Sequence, residues 1–251
     1  MKGVNKAIVS LVMLGISQLL GAAELQRSDV VALLKQSTKT NVADLRRKDL
    51  TGLDLSGLDF RNADLWGADL RKANLSKSNL SDLVLDLTIM VEIDLSGADL
   101  SNVSIFGVSM MRADLSNANL SGSRVIAILD NANLTNANLS NINWGADMKN
   151  QSMGLMRASL KKANLSRANL SGANLDRAML RFADLSNANI QNATFYSANL
   201  EGADFTNANL KNTDLSYARI NDTNFTGANL KGVVLKNVKD KRTARGLATS
   251  K

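Results

Sequence analysis

Apolar residues recur at every fifth position along most of this chain. One run of seventeen such positions extends from Leu45 to Val125, and a second run of seventeen extends from Leu155 to Leu235. With 45% hydrophobic residues in the sequence, chance would produce both runs with a probability on the order of 10⁻¹², so the pattern is an internal repeat. A period of five fits neither a helix nor a continuous strand, which predicts a turn within every repeat.

A second regularity surrounds each central apolar residue. Ala often precedes it by two positions, in an unbroken run from Ala158 to Ala208, and Asp or Asn stands between them. Because side chains alternate along an extended chain, Ala and the central residue are expected inside and the Asp or Asn outside. Only 4% of the residues are aromatic, so the predicted core is narrow and consists largely of Leu and Ala.

Individual repeats carry a family resemblance. The sequences Ala-Asp-Leu-Trp-Gly at 63–67, Ala-Asn-Leu-Ser-Arg at 163–167 and Ala-Asn-Leu-Ser-Gly at 168–172 resemble those of pentapeptide-repeat proteins. The resemblance extends over about four-fifths of the chain. It implies an all-β fold, a right-handed quadrilateral β-solenoid with four repeats in each coil and the central residue inside. Coils about 4.8 Å apart would make a rod of roughly 45 Å.

The period fails in one region. After Val125 the central residues are Leu129, Leu134, Leu139 and Trp144, one position early, and the first register returns at Leu155. A deletion followed by a compensating insertion predicts a distorted coil near 126–129 and a bulge or loop within 145–154. Two interpretations of this break at 126–154 stay open: harmless drift of the repeat, or a loop that binds a partner.

The first residues have the order of a secretory signal. Lys2 and Lys6 precede an apolar stretch at 7–20 and the small residues 21–23, which predicts a signal peptide at 1–23 with cleavage after Ala23. The protein is therefore expected to be exported, either periplasmic or secreted. The alternative is an uncleaved amino-terminal anchor, and membrane contact is expected only in that case.

The remaining chain divides into three parts. Residues 24–40 are expected to form a lead-in and a short N-terminal capping helix from Ser28 to Gln36, with Val31 and Leu34 on one face. The pentapeptide-repeat β-solenoid is expected at 41–238. Residues 239–251 form a basic tail without apolar period, which we expect to be disordered.

Composition restricts the chemistry. The chain has no Cys and no His, which excludes disulfides, thiolate or imidazole metal ligands and a catalytic triad with His. The Asp residues repeated at 44–69 fall on different sides of the predicted tube, so they do not form an acid–base pair. We therefore predict a protein that is not an enzyme, with no catalytic residues, no cofactor and no metal site.

Stacking of residues twenty apart predicts two candidate binding surfaces. The first is an apolar patch, whose large side chains point outward where the repeat normally has polar residues: Trp66, Ile89, Val91, Phe106, Met111 and Ile126. Drift in imperfect repeats could also produce it. The second is a basic patch suited to an anion or an acidic partner: Arg157, Lys161, Lys162, Arg177 and Arg181. A solvated charged face is the alternative for that set.

The leading functional hypothesis is an exported scaffold or protein-binding module, with another protein or a second copy of the chain as partner. The resemblance suggests a second hypothesis, a DNA mimic that binds a topoisomerase. The formal charge of +7 is concentrated in the signal segment and the tail, and the repeat region is neutral. An acidic rod is what DNA mimicry requires, and a nucleic-acid partner would need a basic one, so both are disfavoured.

Overall fold

The computed structural model describes residues 25–146 and 156–247. Each pentapeptide there has a short extended piece followed by a two-residue turn, and the central apolar residue points inward. Most extended pieces are single parallel bridges, and the longer elements are the following: α1 (Arg27–Gln36), β1 (Ala43–Asp44), β2 (Ala63–Asp64), β3 (Ser104–Ser109), β4 (Arg124–Ile128) and the 3-10 helix η1 (Lys241–Thr243).

Parallel bridges join residues twenty apart, so four repeats make one coil. Asp49 bridges Asp69, for example, and Asn74 bridges Asp94. We number the coils by the central residue that opens each: Leu45, Leu65, Leu85, Ile105, Val125, Trp144, Leu175, Phe195, Leu215 and Leu235. The four sides are named by the outward, bridged residue of their first coil: side 1 by Asp44, side 2 by Asp49, side 3 by Asp54 and side 4 by Asp59.

The outward Asp and Asn residues have a structural role at the turns. Their Oδ1 atoms accept a hydrogen bond from the backbone N–H two residues later, as in Asn74 with Ser76 at 2.9 Å and Asp114 with Ser116 at 2.9 Å. This Asx turn stabilises the corner locally. The second turn residue has a positive φ, which is why Gly and Asn are frequent there. The five-residue consensus is thus a folded corner followed by an extended side.

The core is a column of side chains that runs along the whole solenoid. The central residues and the Ala residues two positions earlier are almost completely buried, as for Leu170 and Ala168, each 0% exposed. Phe195, Phe205 and Phe225 replace Leu near the carboxyl end, where Phe205 and Phe225 stack with ring centroids 5.2 Å apart. The predicted inward positions are therefore confirmed.

The register break is a one-residue deletion and an eleven-residue insertion. Asp114 bridges Asn133, nineteen residues later, whereas Asn133 bridges Asn164, thirty-one residues later. The predicted distortion at 126–129 is confirmed, because β3 and β4 run continuously there and shift register between Phe106 and Val108. The predicted loop at 145–154 lies, after residue 146, outside the described residues. The insertion is longer than the single residue needed to restore the five-residue period, because it adds eleven residues, or ten net of the deletion.

Helix α1 packs on the first coil. Val30 is buried in the core, and the Arg27 guanidinium donates hydrogen bonds to the carbonyl oxygens of Asp54 and Ser56 at 2.5 and 3.0 Å. Because the helix covers strand edges and apolar side chains that a first coil would otherwise expose, it is the cap that the sequence predicts.

The details of that helix differ from the prediction. It begins at Arg27, and Gln26 is the N-cap, whose backbone N–H donates to Asp29 Oδ2 at 2.9 Å. Ser28 is therefore inside the helix. Val30 is the buried residue, while Val31 is only partly covered. Asp29 favours this start, because its carboxylate accepts a hydrogen bond from the backbone N–H of the N-cap residue Gln26.

The carboxyl end is more ordered than the sequence suggests. Lys239 bridges Arg219, Arg245 bridges Asn224, and η1 lies between these two bridges. Leu247 packs against the core cluster. The expectation of disorder is thus wrong for 239–247, since a few apolar contacts outside the five-residue period hold this segment on coil 9.

Candidate protein-binding surface

Two sides of the solenoid present an almost unbroken series of amides and carboxylates. Side 4 has Asp or Asn at every described coil that it spans: Asp59, Asn79, Asp99, Asn119, Asn138, Asn169, Asn189, Asn209 and Asn229. Side 3 has only Asp and Asn from Asp54 to Asn224. These two sides therefore keep the consensus residue.

The amides of side 4 also bond to one another between coils. Asn119 Nδ2 donates to Asp99 Oδ1 at 3.0 Å, and Asn138 Nδ2 donates to Asn119 Oδ1 at 3.0 Å. Asn169 continues the ladder to Asn138 at 3.4 Å and accepts from Asn189 at 3.1 Å. Asn169 is thus half-buried and bonded, so the consensus residues of this side are occupied in holding coils together.

Side 2 departs from this pattern after two coils. Its outward residues in order are Asp49, Asp69, Ile89, Ser109, Ile128, Ser159, Met179, Asn199, Arg219 and Lys239. Ile89 and Ile128 are 41% and 45% exposed, and Leu87 at the adjoining edge is 55% exposed. Apolar side chains at these positions cannot form the Asx turn, and they leave apolar area in water. Side 2 therefore carries residues that the fold does not need.

The predicted apolar patch lies on side 2 and its two edges. Ile89 is on the side itself, Phe106 is on the edge with side 1, and Val91 and Met111 are on the edge with side 3. Val91, Phe106 and Met111 are half-buried. Leu87 and Ile128 belong to the same surface and were missed by the sequence analysis. Leu87 could have been found as an apolar residue at a turn position that requires positive φ, 61°.

The other two members of the predicted patch are Trp66 and Ile126. Trp66 is half-buried, and the Arg47 guanidinium lies over its ring at 4.7 Å from the centroid. Ile126 is only 2% exposed, so its predicted outward exposure is wrong. The one-residue deletion explains this, since Ile126 takes the place of the two corner residues Phe106 and Gly107 and is drawn inward by the shorter turn.

A shallow groove follows from the shortened corner. It has a volume of about 280 Å³, and Gly107, Ile126, Ile128, Met156 and Arg157 are among the residues that line it. Most of this lining is apolar, and one guanidinium adjoins it. The groove has the composition of a small site for an apolar side chain, without the convergent polar groups of an enzyme pocket.

The predicted basic patch continues the same two edges toward the carboxyl end. Lys161 pairs with Asp130 at 3.7 Å, and Arg181 pairs with Glu201 at 2.8 Å. Arg157, Lys162 and Arg177 have no ion pair among residues 25–146 and 156–247. Two of the five bases are thus neutralised by neighbours, and three retain their charge for an external group.

Backbone hydrogen bonds show that the two patches share an edge. Along the edge between sides 2 and 3, each second turn residue donates its N–H to the first turn residue of the next coil. The pairs are Glu92 to Met111, Arg112 to Asp130, Asn131 to Lys161 and Lys162 to Arg181. Met111 and Lys161 therefore stand in one column. Counting in twenties would instead place Lys161 with Ser101 and Ser121, on the edge of side 4.

The insertion is the reason for this difference. The ten added residues equal half of a twenty-residue coil. Each repeat after Trp144 therefore lies two sides away from the side that counting twenty residues per coil would assign to it. The apolar and basic patches consequently lie on the same side of the rod. From the sequence they were two competing sites, whereas the structure joins them into one surface.

Aromatic residues complete the basic half and were not predicted as site residues. Tyr196 and Tyr217 lie on the edge between sides 1 and 2, with ring centroids 5.1 Å apart. Phe182 is 50% exposed on the opposite edge, and the Arg181 guanidinium lies 5.3 Å from its ring centroid. Exposed aromatic groups beside arginines are typical of protein-binding surfaces.

Several arginines in the first four coils are paired with nearby acids. The Arg46 side chain donates hydrogen bonds to Asp44 and lowers the pKa of that carboxyl to about 2. A hydrogen bond from Arg71 likewise lowers the pKa of Asp69, and one from Arg112 lowers the pKa of Glu92. Arg46, Arg71 and Arg112 are thus engaged with acids, whereas Arg157 and Arg177 have no ion pair among the described residues.

The part of the chain that the structure describes lacks the features of two other functional classes. There, no group of three or more Asp or Glu side chains could hold a metal ion. No helix within residues 25–146 and 156–247 is long and apolar enough to cross a membrane. Side 2 offers contact area and charge, which are properties suited to binding.

Comparison with family models decides the classification. The Pentapeptide repeats model matches in eight copies over residues 43–82, 93–125, 127–149, 155–192 and 193–232. The chain belongs to the pentapeptide-repeat family. The predicted all-β, right-handed quadrilateral β-solenoid is thereby confirmed, and pentapeptide-repeat proteins are generally structural or binding proteins without enzymatic activity.

Solved structures of other pentapeptide-repeat proteins resemble this one. The protein Rfr23 from the cyanobacterium Cyanothece 51142 is 28% identical over 47% of this chain and 90% of its own, with a TM-score of 0.35. HetL, involved in heterocyst differentiation regulation in Nostoc sp. strain PCC 7120, is 26% identical over 85% and 94%, with a TM-score of 0.26.

A third solved structure is that of full-length QnrB1, a plasmid-mediated fluoroquinolone resistance protein. It is 20% identical over 77% of this chain and 92% of its own, with a TM-score of 0.36. A search of curated proteins gave no match.

Proposed function

We propose that this pentapeptide-repeat protein is an exported, non-enzymatic scaffold that binds another protein through side 2. The observation that carries the proposal is the loss of the outward Asp or Asn on side 2 from Ile89 onward, except at Asn199, while sides 3 and 4 keep it. Exposed Leu87, Ile89 and Ile128 occupy this region. Exposed apolar side chains gathered on one side of a polar rod favour a partner.

The energetics of such an interface are adequate. Burial of an exposed aliphatic side chain contributes about 1–2 kcal/mol, so Leu87, Ile89 and Ile128 together would contribute several kcal/mol toward affinity. Half-buried Phe106 and Met111 would extend the contact area. Such a cluster of apolar groups, surrounded by polar residues, has the composition of an interface centre.

Export is the part of the proposal that rests on sequence alone. Lys2 and Lys6, the apolar stretch at 7–20 and the small residues 21–23 have the order of a cleavable signal. Intact-mass measurement of the protein purified from its own cells tests this. We expect a mature chain that begins at Glu24 in the periplasm or the medium, and a cytoplasmic chain with residues 1–23 attached would refute export.

Binding is tested by affinity capture from the envelope or medium of the source organism. The double variant Leu87→Ser with Ile89→Ser should retain at least fivefold less of any specifically captured protein than the wild type. The matched control is Ser101→Ala with Ser121→Ala, on the edge of side 4, which should retain as much as the wild type. Sedimentation of the purified chain distinguishes a second copy from another protein.

Equal capture by both double variants would show that side 2 is not the contact surface. Absence of any specifically captured protein, together with a monomer in sedimentation, would refute the binding function itself.

A further inference from the structure

We propose that the partner segment on side 2 is an acidic, amphipathic stretch of polypeptide that lies along the solenoid axis. Its apolar residues would contact coils 3–5, and its carboxylates would contact coils 6–9. This inference rests on the proposed function and specifies the chemistry of the partner. It follows from the order of surface types along one side.

The amino-terminal part of the surface is mainly apolar, and its acid Asp86, which has no ion pair among the described residues, accepts a hydrogen bond from the Phe106 backbone N–H at 2.9 Å. Ile89 and Ile128 stand on the side itself, with Leu87 and Phe106 on one edge. Glu92, on the other edge, is occupied by Lys72 at 3.7 Å and by Arg112. A partner gains here by burying apolar groups rather than by charge.

The carboxy-terminal part of the surface has basic groups without an acidic partner among the described residues. Arg157, Lys162, Arg177 and Arg219 have no ion pair among the described residues. Of the nearby acids, Asp130 pairs with Lys161 and Glu201 pairs with Arg181. Asp176 and Asp222 have no ion pair among the described residues, so the four unpaired bases outnumber the unpaired acids by two. An approaching carboxylate would therefore meet an excess of positive charge.

The spacing sets a minimum length for the segment. The outward residues from Ile89 to Arg219 are joined by six successive bridges. At about 4.8 Å for each coil, they extend over roughly 29 Å, which equals about nine residues of extended chain. A segment of that length can place apolar side chains at one end and acidic side chains at the other.

The same surface is less suited to a nucleic acid or an acidic polysaccharide. A uniform polyanion would leave Ile89 and Ile128 uncovered. It would also pass Glu92, Asp130 and Glu201, which interrupt the bases along the edge. Charge complementarity along the whole side is therefore best with a segment whose acidic character is confined to one end.

Fluorescence anisotropy with a synthetic probe tests the inference on the full chain. The probe is a labelled sixteen-residue peptide with leucines alternating with serines in one half and glutamates alternating with serines in the other. The comparison peptide has lysines in place of the glutamates. We expect the glutamate peptide to bind at least tenfold more tightly, and its affinity to fall severalfold between low and high salt.

Two double variants separate the halves of the surface. Arg177→Ser with Arg219→Ser should weaken the glutamate peptide at least tenfold and reduce the salt dependence. Leu87→Ser with Ile89→Ser should weaken it at least fivefold with the salt dependence unchanged. The charge-matched control, Lys211→Ser with Lys231→Ser on the edge of side 4, should bind like the wild type.

Several results would overturn the inference. These are equal affinity for the lysine peptide, tighter binding of a heparin fragment or a single-stranded oligonucleotide than of the glutamate peptide, and equal losses in the control variant. A natural partner that is captured through Leu87 and Ile89, but is neither displaced by the glutamate peptide nor affected at Arg177 and Arg219, would leave the proposed function standing and refute only the acidic segment.

Discussion

Side 4 and side 2 have the same backbone and the same core, but different outward residues. On side 4, Asn119 and Asn138 each bond both to their own turn and to the next coil. On side 2, Ile89 and Ile128 bond to neither through their side chains and remain exposed. The comparison separates the residues that build the rod from those that the rod merely displays.

The difference shows how much of the consensus the fold requires. Backbone bridges on side 2 persist from Asp49 to Lys239 although the outward residue changes from acidic to apolar to basic. The inward residues below them, such as Ala178 and Leu180, remain fully buried. Core packing and the backbone ladder therefore specify the coil, and the outward amide adds stability that one side can forgo.

The largest effect on stability should come from a substitution in the buried core, which both sides share. Leu170 is completely buried at the centre of a side 4 repeat, so Leu170→Asp would place a carboxylate in the apolar core. We expect a loss of several kcal/mol in the free energy of unfolding, measured by chemical denaturation. The neighbouring change Asn169→Asp should be mild, and equal losses in the two variants would contradict the assignment of inward and outward positions.

An intermediate effect should distinguish the two sides directly. Asn119→Ala removes bonds to Ser121 N–H at 3.2 Å, to Asn138 at 3.0 Å and to Asp99 at 3.0 Å, and should cost about 1–3 kcal/mol. Ser109→Ala, at the equivalent position of side 2, should change the free energy of unfolding by less than about 0.5 kcal/mol. Similar values for both would remove the contrast between the sides.

The smallest effect concerns acid and extends the comparison to the first coils. Hydrogen bonds from Arg61 and Arg71 lower the pKa of Asp59 on side 4 and of Asp69 on side 2. A lowered carboxyl pKa stabilises the fold above the ordinary value near 4, and this stability is lost as pH falls through the folded-state pKa.

Melting temperature should therefore drop by a few degrees more between pH 5 and pH 2 in the wild type than in Asp59→Asn with Asp69→Asn. Because these ion pairs are exposed, the effect is small. Identical acid dependence in both proteins would show that the carboxylates contribute nothing to the fold.

Much of this architecture can be predicted from the sequence, because every fifth residue is apolar and occupies an equivalent buried position. The position of Leu170 inside and Asn169 outside follows from alternation alone. The hydrogen bonds between Asn169 and neighbouring coils cannot be predicted in this way, since a single repeat gives no information about the residues of the coils above and below it. The presence of helix α1 could be predicted, but its N-cap residue could not, because that residue is determined by the contact with Asp29.

The candidate surface was predictable only in pieces. Ile89 and Arg177 were found because each departs from the consensus of its repeat. Their common side could not be found, because an eleven-residue insertion is indistinguishable in sequence from a one-residue correction when both restore the five-residue period. Ile126 was misplaced for a related reason, since a shortened turn buries a side chain that the repeat would expose.

The ten-residue net insertion also suggests how rods of this kind can acquire new surfaces during evolution. Gaining or losing two repeats keeps the five-residue period, so each repeat retains its inward and outward positions. It nevertheless rotates all later coils by two sides, so that two surfaces on opposite sides of the solenoid come to lie on the same side. A gene can in this way test a composite interface in a single event, without any substitution in either surface. In protein design, the same insertion could move two grafted epitopes from opposite sides of a solenoid to the same side without a flexible linker.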